Sequence, residues 1–231
     1  GTTDSDLAPL FAMLPTEKKF GSSICKNDLS HKEDYDLEII IPAYNVENYI
    51  DQCLQSVLDQ QSKYKYLIVV INDGSTDGTR QLLAKYEKYP NIEIIDQENA
   101  GQATARNVAL RHIRGRYIAF VDADDWLLPG AISKLMDTAM KYDADIVEGC
   151  FRLYNGTQFY PGYSHPFDVS DKWTGQLQGY AWGKVFRAEL FAHSCFPEDY
   201  LFEDSLMTLV LYPRCHRIVI IPADIYVYRF N

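Results

Sequence analysis

An α/β fold, with a mostly parallel central sheet and helices on both faces, is what the 231-residue sequence predicts. Three observations point to it. Short β-branched runs alternate with stretches at helical spacing between Leu37 and Cys150. The connections are short, so successive strands lie parallel with helices crossing between them. Polar clusters follow the apolar runs directly, at the carboxyl ends of strands, where open parallel sheets bind ligands.

Residues 1–36 are weakly patterned and read as an N-terminal extension. Gly1 resembles a tag remnant, and Leu7–Leu14 has the spacing of a short helix. The first buried strand is the apolar run Glu38–Ala43. Ile50, Cys53, Leu54, Val57 and Leu58 mark one face of the helix after it. A second strand, Tyr66–Ile71, stops at Asn72-Asp73-Gly74, and Ser75-Thr76-Asp77 supplies caps for a helix reaching Tyr89. Ile92–Asp96 is a third strand, Ala103–Ile113 a helix opened by Gly101, and Tyr117–Val121 a fourth strand. Pro129 starts a helix to about Tyr142, and Asp145–Cys150 is the fifth strand. Beyond Phe151 the alternation gives way to an irregular α+β half. Asn155-Gly156 there predicts a hairpin turn, Trp182–Phe191 and Asp204–Tyr212 predict helices, and Arg217–Ile221 and Ile225–Tyr228 predict strands.

Apolar residues at 47% and charged residues at 23% describe a folded protein. Lys and Arg number 22 against 32 Asp and Glu, a formal charge of -10, so the surface repels a nucleic-acid backbone. Any phosphorylated ligand needs a local offset, and a divalent cation supplies one. The five cysteines are scattered without zinc or redox spacing, which suits a cytoplasmic compartment. The longest apolar runs, Leu67–Ile71 and Ile218–Ile221, are strand-sized and far short of the roughly eighteen residues that span a bilayer. No Gly-x-Ser-x-Gly, P-loop or Gly-x-Gly-x-x-Gly occurs, which argues against an acyl hydrolase, a P-loop kinase and a dinucleotide dehydrogenase.

The acidic cluster Asp122-Ala123-Asp124-Asp125 suits Mg²⁺ or Mn²⁺, which take hard oxygen ligands and keep room for phosphates. It equally suits an Asp-rich approach to the helix after Pro129. Asp73 is either a turn-capping side chain or an acceptor for a base or ribose. Arg106 and Asn107 are either a buried polar pair, or Arg106 faces phosphate or holds the acidic cluster in place. Glu203-Asp204 opens a helix, as dipole partner or as general base. Trp182 and Lys184 suit a sugar face and a hydroxyl, or a core ring and a solvated ammonium.

Taken in order, Pro42-Ala43-Tyr44-Asn45, Asn72-Asp73-Gly74-Ser75-Thr76-Asp77, Asn99 to Asn107, Asp122-Ala123-Asp124-Asp125 and Glu203-Asp204 closely resemble the family 2 glycosyltransferases. Trp182-Gly183-Lys184 with Tyr226 to Arg229 resembles the bacterial polysaccharide branch. The resemblance runs from about Leu37 to Asn231. It implies the Rossmann-like GT-A fold, with 37–150 as the nucleotide-sugar half and 151–231 as an acceptor-side half, C-terminally truncated. It implies an inverting, metal-dependent transfer from a nucleotide-diphosphate sugar, a UDP-sugar by preference, to a hydroxyl of a glycan or lipid-linked acceptor. The donor set would be Pro42, Ala43, Tyr44, Asn45, Asp73, Gly101, Arg106, Asp122 and Ala123, with Asp73 on the uracil. Asp124 would ligate Mn²⁺ or Mg²⁺ and Asp204 would be the base. Trp182, Lys184 and Glu203 would border the acceptor or sugar. The expected place is the cytoplasm, at the inner face of the cell membrane if missing C-terminal residues attach the enzyme there. A non-catalytic nucleotide-sugar-binding module and a sugar-phosphate nucleotidyltransferase are the alternatives.

Overall fold

The computed structural model describes residues 25–199 and 203–230, so the helix expected at Leu7–Leu14 lies outside the described residues. Its strands are β1 (Tyr35–Ala43), β2 (Tyr66–Asp73), β3 (Ile92–Gln97), β4 (Gly115–Phe120), β5 (Trp126–Leu127), β6 (Ile146–Tyr154), β7 (Phe159–Pro161), β8 (Asp168–Ser170), β9 (Lys184–Arg187) and β10 (Ile218–Arg229). The α-helices are α1 (Ile50–Leu58), α2 (Thr79–Leu83), α3 (Gln102–Leu110) and α4 (Ala131–Tyr142). The strands form one mixed sheet in the order β3-β2-β1-β4-β9-β6-β10-β5, with β7 on β6 and β8 on β10. Its first four members, β3-β2-β1-β4, are all parallel. From β9 onward, parallel and antiparallel pairings mix.

Period-two alternation divides each central strand between two cores. Leu37, Ile39 and Ile41 of β1 pack with Cys53, Leu54 and Val57 of α1 and with Ile132 and Met136 of α4. Ile40, Val69 and Ile71 face the other way, toward Ala105 and Ala109 of α3 and the rings of Phe186, Phe191 and Phe196. Helices therefore cover both faces, and the strands read as continuous apolar runs because neither face is wet. Residues 25–34 pack onto this second layer through Asn27, whose side-chain amide donates to the carbonyls of Phe191 (2.6 Å) and Ser194 (3.1 Å).

The irregular half departs from its sequence pattern at two places. Trp182–Phe191, expected to be helical, contains β9, which runs antiparallel between β4 and β6 and ends in a 3₁₀ turn, Ala188–Phe191. Val185 and Phe186 enter opposite cores, the requirement of a strand rather than a helix. The two strands expected at the C-terminal end are one, β10, with its register on β6 broken between Ile220 and Tyr226. The hairpin at Asn155-Gly156 is present between β6 and β7, with Gly156 at φ +91. Asp204–Tyr212 is wound as a π-helical turn over Met207–Leu211.

Lys184 lies opposite Glu148 in the β6–β9 register, and its Nζ sits 2.6 Å from the carboxylate with both side chains no more than 2% exposed. The ammonium also donates to the carbonyls of Gln178 (3.1 Å) and Tyr180 (2.8 Å). Burial pushes the Glu148 carboxyl above its usual range, against the pull of Lys184. Breaking such a pair leaves a buried charge without its partner. Lys184→Met should therefore destabilise the protein by about 3–5 kcal/mol in chemical denaturation, and adding Glu148→Gln should recover a large part of that loss.

Candidate active site

The parallel strands end along one edge, and the cleft forms there. Its volume is about 520 Å³, between the end of β1 (Pro42 and Ala43) with Tyr44 after it, Asp73 at the end of β2, Gly101 and Gln102 at the start of α3, and Asp122–Asp124 after β4. Asp73 is buried, and its carboxylate accepts from Gln97 Nε2 (2.6 Å), Ala100 N (2.8 Å) and Gly101 N (2.9 Å). It thereby shapes the loop into α3. Gly101 follows at φ +89, a left-handed conformation that glycine adopts without steric cost. Asn45, also left-handed at φ +51, does not line the cleft. Its side-chain oxygen accepts from Thr76 N (2.8 Å) and ties the β1–α1 loop to the segment after β2.

Arg106 is the hub of the site. Its guanidinium is 1% exposed, with NH2 at 3.0 Å from Asp122 Oδ1 and NH1 at 3.2 Å from Glu203 Oε1 and 3.5 Å from Asp204 Oδ1. It lies against the Phe196 ring at 5.0 Å. Of the roles open to it, the structure shows the one that holds the acidic cluster, and Arg106 does not line the cleft. Its neighbour Asn107 exchanges hydrogen bonds with the backbone of Phe196, donating to the carbonyl at 2.9 Å and accepting from the amide at 2.8 Å. Two consecutive residues of α3 thus bind the second half of the chain to the first.

The carboxylates differ by environment. Asp122 is pinned by Arg106 and by Gln102 Nε2 (3.0 Å). Asp124 opens into the cleft, and partial desolvation followed by the charge of Asp122 raises its pKa. Asp125 is buried, accepting from Arg229 N (2.6 Å) and Tyr226 Oη (2.8 Å); burial, with Asp122 and Asp124 nearby, pushes it up to about 8. Tyr226 Oη in turn accepts from Asp122 N (3.1 Å), so Asp125 braces the acidic turn from behind. Burial pushes Asp204 up to about 6; Arg106 opposes that rise, and Glu203 and Asp122 add to it.

A second cavity, also about 520 Å³, meets the cleft at Asp122 and Tyr228 and has Asp204 in its wall. Trp182 is buried at its base, stacked on Tyr180 at 4.6 Å and Tyr228 at 5.5 Å, with Phe151 edge-on at 4.8 Å. Lys184 is not among its lining residues, being locked on Glu148 behind the wall. Glu203 stands behind Asp204 on Arg106. Sequence reasoning missed Gln102, Tyr180 and Tyr228 as lining residues. The aromatic density of the second half was the visible signal for Tyr180, whereas Tyr228 lay within the Tyr226 to Arg229 motif and Gln102 within Asn99 to Asn107.

The family model for glycosyl transferase family 2 matches residues 38–196. Glycosyltransferase GlyA of Streptococcus pneumoniae serotype 4 is 34% identical over 86% of this chain and 31% of its own length. An uncharacterized glycosyltransferase, EpsJ of Bacillus subtilis, is 32% identical over 84% of this chain and 61% of its own. The chain thus spans between about a third and three-fifths of these two relatives. Among solved structures, S. aureus TarS 1–349 in complex with UDP-GlcNAc superposes with a TM-score of 0.74 at 26% identity, covering 85% of this chain and 59% of that one. Mannosyltransferase PcManGT from Pyrobaculum calidifontis, in complex with GDP-Man and Mn²⁺, shares the fold at 19% identity and a TM-score of 0.61, over 92% of this chain and 60% of that one.

Replacing Arg106 by Met removes the one cation that Asp122, Glu203 and Asp204 share among the described residues. The carboxylates keep some contact with water, so the expected loss of stability is about 3 kcal/mol, the low end for a broken buried pair. Arg106→Lys should recover only part of it, because an ammonium cannot fork between three partners. Urea denaturation of the two variants beside the parent measures both.

Proposed function

The chain belongs to glycosyl transferase family 2, and from that premise we propose that it transfers a sugar, with inversion, from a nucleotide-diphosphate sugar to a hydroxyl of a glycan or lipid-linked acceptor. The observation that carries this reading is the meeting of two cavities at Asp122 and Tyr228, with Asp204 beside the junction. One cavity suits a nucleoside diphosphate at strand ends. The other suits a sugar on aromatic walls. UDP-GlcNAc is the first donor to test, on the strength of the TarS complex. The proposed setting is bacterial cell-surface polysaccharide assembly on the cytoplasmic side of the membrane. Among the described residues, no helix is long and apolar enough to cross a membrane.

Chemistry follows from where the groups stand. An acceptor hydroxyl in the second cavity attacks the anomeric carbon opposite the diphosphate and transfers its proton to Asp204, an effect worth about 10²–10⁴-fold. A pKa of about 6 leaves Asp204 ionised at neutral pH yet basic enough to take that proton. Asp73 and the β1 turn border the nucleoside end of the cleft, and the Gly101 turn allows close backbone approach.

Mn²⁺ or Mg²⁺ fits the donor set, although the described residues contain no cluster of three or more ligating side chains. These cations commonly take one or two carboxylates and fill the remaining positions with water and substrate phosphate. Asp124 offers such a carboxylate to the cleft, and its raised pKa marks a charge that a cation would relieve. Asp122, held on Arg106, would reach the ion through water. The bound cation would stabilise the charge that grows on the departing diphosphate.

Three measurements test this reading. Calorimetry should find UDP binding that depends on Mn²⁺ and disappears in Asp124→Ala. Asp204→Asn should keep UDP binding and lose turnover by at least about 10²-fold, whereas undiminished turnover removes Asp204 as base. The base must be ionised, so UDP release from UDP-GlcNAc should fall as pH falls through about 6. Arg106 lowers that pKa, so in Arg106→Lys, with its weaker grip, the acid limb should move to higher pH.

A further inference from the structure

We propose that the second cavity takes a neutral pyranoside, seated on Tyr180 and Tyr228, and discriminates against phosphorylated and other anionic acceptors. The inference rests on the reading of Asp204 as the base, and it names the class of substrate that this base would meet.

Three observations carry it. The first is the wall itself. Trp182 lies within 12° of parallel to Tyr180, Tyr226 and Tyr228, so four rings form one stacked block. Two of them remain open, Tyr180 at 43% and Tyr228 at 37% exposure, and both line the cavity with Phe151, Leu153 and Pro161. Flat, rigid, amphipathic rings bury the C–H face of a sugar ring at little entropic cost and leave its hydroxyls to polar partners. The second is the charge of the lining. Its ionisable acids are Asp122 and Asp204, and among the described residues no Lys or Arg lines it. The third is what has become of the cations behind the wall. Lys184 is held by Glu148 and the carbonyls of Gln178 and Tyr180, and Arg106 by Asp122, Glu203 and Asp204. Neither has a charge to spare for a ligand. An acceptor phosphate would enter a partly desolvated space beside two carboxylates, with no lining cation among the described residues to offset it and the proposed metal ion already engaged by the donor diphosphate.

The same bonds fix the geometry of the wall. Glu148 accepts from Gln178 N at 3.1 Å, and Tyr212 Oη donates to the Gln178 carbonyl at 2.5 Å. The segment that carries Tyr180 and Trp182 is therefore anchored before any ligand arrives.

The test is saturation-transfer NMR on the full chain with saturating UDP and Mn²⁺. The ligands are methyl β-D-glucopyranoside and methyl N-acetyl-β-D-glucosaminide, their 6-phosphates, and ribitol 5-phosphate. The neutral glycosides should receive saturation at their ring protons and bind at least about tenfold more tightly than the phosphorylated compounds. Tyr180→Ala should lose the signal and Tyr180→Phe should keep it, with circular dichroism showing both variants folded at the temperature of the measurement. Tighter binding of the phosphorylated compounds overturns the proposal. So does the absence of transfer to either neutral glycoside in a sample where calorimetry still records UDP binding. Neutral glycosides binding in a protein that binds no UDP would support this inference and defeat the donor-site reading instead.

Discussion

One guanidinium holds the site together. Arg106 issues from α3 in the parallel half, yet two of its three carboxylate partners, Glu203 and Asp204, belong to the irregular half. The third, Asp122, follows β4 at the junction of the two cavities. Without a shared cation, three partly buried carboxylates would repel one another, and the turn carrying Asp204 would have reason to swing toward water. Arg rather than Lys suits this place, because a planar fork reaches several partners at once and carries a lighter hydration shell. The aromatic ring of Phe196 beneath it completes the shielding.

The sheet explains why such a cluster can exist at all. Parallel strands β2-β1-β4 bury both faces, with half-buried β3 at their flank, so their polar endings collect at one edge, where side chains that would break a core are tolerated. Beyond β4, the order β9-β6-β10 extends the sheet with mixed pairings and brings Trp182, Phe151 and Tyr228 against that edge. The first cleft is thus made of strand ends and the second cavity of stacked rings. Their common border is a few residues wide.

The parallel half was legible in the sequence because each of its strands carries a short β-branched or apolar run that ends in polar or turn residues. Local patterning suffices there. Asp73, Asp122 and Asp124 were placed at the cleft by the same logic. β9 was not legible, since Lys184-Val185-Phe186-Arg187 is short, and what makes it a strand is its neighbours β4 and β6. Lys184 misleads for a related reason. A lysine beside Trp182 suggests a sugar site, and only the register on β6 shows that Glu148 holds it. Asn45 sits in the right motif, but its left-handed backbone and its bond to Thr76 N give it a structural duty that spacing does not reveal. Tyr180 and Tyr228 lie 48 positions apart and meet only through Trp182.

The balance of forces on Asp204 decides how well it suits the role of base proposed for it. Burial raises its pKa, and so do Glu203 and Asp122; Arg106 lowers it. A bidentate pair with Arg106 would hold the carboxylate ionised but too weakly basic to take a proton. Without that cation its pKa would rise further and a larger share of it would be protonated, unable to accept a proton. The structure lies between these limits, because Arg106 gives Asp204 its longest contact, 3.5 Å, after serving Asp122 at 3.0 Å and Glu203 at 3.2 Å. The carboxylates compete for one guanidinium. That competition limits how far Arg106 can offset the burial that raises the Asp204 carboxyl.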